Sequence, residues 1–151
     1  MKKSTFISII FGILLSACAT TSTPNPDAPV SSDDPSAPSD SNFIPSPADS
    51  ALTRGNVTLS NVELLTMESF PLQFMLSLKG DLPTPCHQLR IAVSAPNAKN
   101  EIGVDVYSVV DPNEICAQVL EPFEVNYPLG SYPTGHYILI VNGIQEAEFD
   151  A

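Results

Sequence analysis

Leu72-Gln73-Phe74-Met75-Leu76-Ser77-Leu78-Lys79 is the stretch that decides the fold class. Leu72, Phe74, Leu76 and Leu78 recur at every second position, a period that places them on one face of a strand but scatters them around a helix. The same alternation returns downstream. Leu89, Ile91 and Val93 interleave with Gln88, Arg90, Ala92 and Ser94, and Ile102, Val104 and Val106 interleave with Gly103, Asp105 and Tyr107. Between these two runs lies Pro96-Asn97-Ala98-Lys99-Asn100, a turn-rich connection of hairpin length. Upstream, Val57, Leu59, Val62 and Leu64 predict an opening strand whose phase shifts near Asn61, as at a bulge. Later strands are expected at Cys116–Leu120, Phe123–Tyr127 and Tyr137–Val141. A closing strand through Ala147 and Phe149 should follow the turn at Asn142-Gly143, since Asn-Gly is the strongest short hairpin signal. Short strands with turn signals every 8–12 residues or so predict an all-β fold, an antiparallel β-sandwich of about seven strands.

The sandwich is not the whole chain. Lys2 and Lys3 precede an apolar run from Phe6 to Leu15, too short to span a bilayer core and shaped like a secretory signal. The segment Leu15-Ser16-Ala17-Cys18 resembles the lipobox of bacterial lipoproteins: a Leu, two small or polar residues and a Cys. The resemblance implies cleavage after Ala17 and a diacylglyceryl thioether on Cys18. It further implies a lipid-anchored protein of the cell envelope. Because Ala19 rather than Asp follows the Cys, the site would be the outer membrane in a diderm host and the outer face of the cell membrane in a monoderm one. Two or more acyl chains anchor stably, each buried methylene contributing about 0.8 kcal/mol.

Residues 18–51 read as a disordered tether between the signal peptide, residues 1–17, and a folded domain, residues 52–151. From 19 to 50 the chain is mostly Ser, Thr, Pro, Asp and Ala, without Lys or Arg. Such a composition cannot offset the entropy of ordering. Extended by its prolines, the tether would reach roughly 100 Å. Phe43 and Ile44, its only sizeable apolar residues, read as an idle pair beside Pro45. The chain has three cysteines. With Cys18 lipidated, Cys86 and Cys116 remain as an even pair in a disulfide-permissive compartment, and a disulfide between them is expected.

Leu129 to Tyr137, followed by Ile138 to Gly143, resembles the penultimate-strand region of immunoglobulin-like bacterial surface domains, in which a Gly-x-Tyr segment forms a tyrosine corner and a Val-Asn-Gly turn closes the sheet. Gly135, Tyr137, Val141, Asn142 and Gly143 carry the match. The wider domain is similar to secreted bacterial domains with a Leu-Pro-x-x-Cys segment, here Leu82 to Cys86, and a Cys-Ala-Gln-x-Leu-x-Pro-Phe segment, here Cys116 to Phe123. These resemblances imply an immunoglobulin-like sandwich and transfer no activity. Antibody-type features are missing: there is no Trp, and no Cys lies two residues after Tyr137.

Charge narrows the partners. After signal cleavage Arg54, Lys79, Arg90 and Lys99 stand against 17 acidic residues. Phosphate backbones are held by clusters of Lys and Arg, so nucleic acid is not an expected partner. Nor do the residues point to an enzyme. His87 and His136 are the only imidazoles, and neither a Gly-x-Ser-x-Gly elbow nor a His-Glu-x-x-His helix occurs. Asp111, Asn113 and Glu114 around Pro112 lack the ligand spacing of a calcium loop and read as an Asp-capped turn. No cofactor and no metal are expected. Without Trp, a sugar platform would need Tyr107, Tyr127, Tyr132 or Tyr137, most of which a sandwich would bury. The sequence thus favours a non-catalytic domain, structural or contacting another envelope or extracellular protein by an open sheet edge or end loops. The alternative is an inhibitor of a secreted hydrolase. Its inserted element would be the loop Leu82–His87, with Pro83, Thr84, Pro85 and His87 as the contact residues, pre-organised by two prolines and the disulfide.

Overall fold

A computed structural model of the chain describes residues 42–151, so the expected signal peptide, Cys18 and the tether up to residue 41 lie outside the described residues. The described chain forms a short 3-10 helix, Pro47–Ala51, and eight strands: β1 Thr53–Gly55, β2 Thr58–Met67, β3 Gln73–Leu82, β4 Gln88–Val93, β5 Glu101–Val110, β6 Glu121–Gly130, β7 His136–Val141 and β8 Ile144–Asp150. They make two sheets, one of β2-β3-β6 and one of β1, β4, β5, β7 and β8. The all-β sandwich read from the sequence is therefore what the chain adopts.

β3 shows how the pattern works. Phe74, Leu76 and Leu78 are buried at 2% exposure or less, while Gln73 and Lys79 face water. The opposing sheet contributes Ile91, Ile102, Val104, Leu139 and Val141 to the same core. Full burial of each such side chain contributes roughly 1.5–3 kcal/mol. The phase shift foreseen in β2 is real: its register against β3 slips between Leu59 and Asn61. Asn142 (φ 49°) and Gly143 (φ 84°) both take left-handed backbone in the β7–β8 turn, the conformation that makes Asn-Gly a hairpin signal.

β5 organises the larger sheet. β4 runs antiparallel along one edge, while the other edge is shared end to end by β7, opposite 101–104, and β1, opposite 108–110. The β5–β7 pair is parallel, a departure from the all-antiparallel expectation. The intervening β6 belongs to the other sheet, so the chain crosses the sandwich and back and β7 returns in the direction of β5. At the join between β7 and β1 the Asn142 side chain substitutes for a strand. Its Oδ1 accepts from the Val106 N–H (2.8 Å) and its Nδ2 donates to the Val106 carbonyl (3.0 Å).

Two further expectations need correction. Cys116–Leu120 is not a strand: residues 111–120 are an irregular crossover from β5 to β6. A strand there would lack a sheet neighbour, because the chain is changing sheets. Second, order begins before residue 52. The Ser46 side chain caps the 3-10 helix in a capping box with Asp49, and Phe43 packs against the core while its carbonyl accepts from the Ile91 N–H (2.8 Å). Asp49 then takes two hydrogen bonds from Arg90, Nε to Oδ2 at 2.8 Å and Nη2 to Oδ1 at 2.9 Å. Both side chains are nearly buried, at 10% and 12% exposure. The Arg90 bonds, with the Ser46 N–H, hold the Asp49 carboxyl down at about 2. Residues 42–51 are thus a strap over the edge of β4.

Candidate binding surface

At one end of the sandwich β3, β5 and β1 meet the loops 83–87 and 111–120. Cys86 and Cys116 are joined there by a disulfide, with Cα atoms 6.0 Å apart, and the Cys86 N–H donates to the Cys116 Sγ. The expected disulfide is present, but it staples one loop to another rather than strand to strand.

The loop Leu82–His87 folds onto the domain. Thr84 is only 5% exposed; its Oγ1 lies 2.8 Å from His87 Nδ1, and its carbonyl accepts from the His87 N–H. The imidazole packs against β1, where a Cβ on Gly55 would meet the Ser108 Oγ at 2.9 Å and the His87 Nε2 at 3.3 Å. Of the four candidate contact residues, Thr84 is buried, Pro83 and His87 are half-buried, and Pro85 alone is exposed. The structure brings them together, but not as a protruding element.

Sequence reading missed what does protrude. Ile115 is 100% exposed, and Val119 and Leu120 are more than half exposed, on the loop that Cys116 anchors. Asp111 opens this loop as an Asp-capped turn, its Oδ1 accepting from the Asn113 N–H (2.9 Å) and its carbonyl from the Glu114 N–H. Asp111, Glu114 and Glu121 flank the apolar side chains in sequence, Asp81 pairs opposite Pro122, and the loop 110–121 contains no Lys or Arg. The sequence signal for this surface is a set of apolar residues without an alternating partner run, which strand-like composition masks.

Elsewhere, the outer face of the larger sheet carries a groove of about 810 Å³ over Ala92, Ser94, Gly103 and Ile140. At its rim Arg54 Nη2 contacts both Asp105 carboxylate oxygens at 2.7 Å, and the guanidinium lies 3.8 Å from the centroid of Tyr107. That stacking occupies one ring face of Tyr107, the kind of face a sugar would use. At the opposite end Tyr137 is buried and its OH donates to the Pro133 carbonyl (2.9 Å), the tyrosine corner that the Gly135–Tyr137 resemblance implied. Exposed His136 sits on β7 with Nδ1 2.9 Å from Asp150 Oδ1 and Nε2 3.6 Å from Glu148. The Asp150 bond, reinforced by both carboxylate charges, raises its pKa above the ordinary value. Among the described residues no group of three or more His, Cys, Asp or Glu side chains is placed to hold a metal ion.

A family model described as the ORF11 beta-sandwich domain matches residues 76–151, from within β3 to the end of the chain. No curated protein and no solved structure matches the chain.

Proposed function

The chain belongs to the ORF11 beta-sandwich domain family, and on that premise we propose that it is a cell-envelope lipoprotein whose sandwich is a non-catalytic module that binds another protein through its disulfide-clamped end. The observation that carries the reading is Ile115, fully exposed beside Val119 and Leu120 on a loop held in place by Cys86–Cys116. Aliphatic side chains held in water by a covalent staple, rather than tucked into the adjacent core, mark a surface kept ready for contact. The lipobox-like Leu15-Ser16-Ala17-Cys18 supplies the anchor. The acidic surface suits a domain that stands off from anionic headgroups instead of lying on them.

Intact mass of the protein purified from its native membrane, beside a Cys18→Ser control, tests the anchor. A diacylglyceryl adduct on the mature chain, absent from the control, is the expected result, and an unmodified mature mass removes the lipoprotein reading. A photoreactive residue in place of Ile115 tests the module in the same membrane. Recurrent cross-links to one protein are expected, and cross-links to lipid alone argue against it.

A further inference from the structure

We infer that the partner of the disulfide-clamped end presents an apolar centre ringed by Lys and Arg, an inference that rests on the binding-module reading and adds the partner's chemistry to it. Two independent features of the same surface point there. Its centre is aliphatic: Ile115, Val119 and Leu120 are exposed within six residues of one another. Its neighbours are acidic: Asp111, Glu114 and Glu121 border these side chains in sequence, and Asp81 pairs opposite Pro122, next to Glu121. Three of the domain's four cations already have carboxylate partners, although Lys79 and Arg54 lie on β3 and β1 near this end. Arg54 pairs with Asp105, Lys79 with Glu124 and Arg90 with Asp49, while Lys99 lies in the β4–β5 turn, at the other end of β5. Among the described residues Asp81, Glu114 and Glu121 form no ion pair, so their charge is not neutralised within the sandwich.

Complementarity follows from these facts. A second copy of the chain would set four carboxylates against four, and like charges across an interface cost several kcal/mol. Anionic headgroups repel the same carboxylates, which disfavours a bilayer as the surface that takes up Ile115. A basic rim around an apolar patch satisfies both features. The aliphatic centre would supply most of the affinity, while the charges would steer encounter and reject wrong partners.

The test uses the full lipidated chain in phosphatidylcholine nanodiscs, with empty nanodiscs as the blank. The probes are fluorescent hexapeptides of alternating Leu with Lys, with Glu or with Ser. The Lys peptide should bind about tenfold or more tighter than the others, a difference of about 1.4 kcal/mol. Its binding should weaken as salt rises from about 0.05 M to about 0.5 M, over which range screening shortens several-fold. Two double variants, Ile115→Ser with Leu120→Ser and Glu114→Gln with Glu121→Gln, should each weaken it by about fivefold or more. Glu68→Gln with Phe70→Ser, on the exposed hairpin at the other end, should not. Equal loss in the hairpin variant would reduce the effect to general acidity and overturn the inference, as would equal binding of the Ser or Glu peptide. If the Ile115 cross-linker in the native membrane captures a protein whose contact surface is acidic or uncharged, the partner chemistry falls while the binding module stands. Cross-links to lipid alone sink both.

Discussion

Each end of the sandwich leaves apolar side chains in water, Phe70 at one and Ile115 at the other, but the two ends are held together in different ways. At one end Phe74, Tyr132, Tyr137 and Phe149 turn inward, with Phe74 and Phe149 ring centroids 4.3 Å apart and Tyr137 stacked on Phe149 at 5.4 Å. The tyrosine corner ties that cluster to the 131–135 loop through one hydrogen bond. At the other end Ile115, Val119 and Leu120 turn outward, on a loop joined to the 83–87 loop by a covalent link. Aromatic burial makes the first end self-supporting. The second end leaves its apolar side chains in water and is tied by a bond that a reducing environment would remove.

Substitutions can break this contrast at either end. The largest expected effect is from Phe149→Ala, which removes the centre of the aromatic cluster and should cost about 3–5 kcal/mol in urea unfolding. Replacing Cys86 and Cys116 together by Ser releases a loop closed over a sequence separation of 30. On the chain-entropy model the loss is on the order of 3–4 kcal/mol. Hydrogen exchange should show lost protection concentrated in 111–120, and a loss spread evenly over both ends would erase the distinction drawn between them. Tyr137→Phe deletes only the corner bond and should cost about 0.5–1.5 kcal/mol by the same unfolding assay. Ile115→Ser should change stability by no more than about 0.5 kcal/mol, because the side chain supports nothing. A larger destabilisation would show that the clamped end is part of the core.

The smallest effect concerns pH. With the folded His136 pKa above its ordinary 6.5, pairing with Asp150 and Glu148 stabilises the fold below about that pH and is lost as pH rises through the folded midpoint. An NMR titration should place that midpoint above 6.5, and Asp150→Asn should bring it down. Asp49 runs the other way. Held at about 2, its carboxylate supports the strap above its ordinary value of 3.8 and loses that support as pH falls toward 2.

What the sequence made legible was whatever has a local period or a local turn chemistry. Phe74-x-Leu76-x-Leu78 and Asn142-Gly143 carry their structure within a few residues, and even the slip between Leu59 and Asn61 shows as a change of phase. The disulfide followed from parity. The strap did not, because its order rests on Asp49 meeting Arg90 across 41 positions. A composition rule applied to Ser, Pro and Asp sees only their solubility. The exposed loop was misread for a related reason: Ile115, Val119 and Leu120 have strand-like composition, but a strand exists only where a neighbour supplies hydrogen bonds. The parallel β5–β7 pair likewise depends on which sheet β6 joins, a choice made by the whole core rather than by any segment.

The strap has a mechanical consequence. Tension applied through the N-terminal side of residue 42 reaches the domain along the edge of β4, so the first bonds to carry it are Phe43 to Ile91 and Asn42 to Arg90, then the Asp49–Arg90 pair. These contacts lie in series along the chain ahead of the eight strands, so they can open one at a time without parting either sheet. Under load the strap acts as a sacrificial link: it would pay out about ten residues of slack before the sheets feel the pull, and it would re-form once the force is gone.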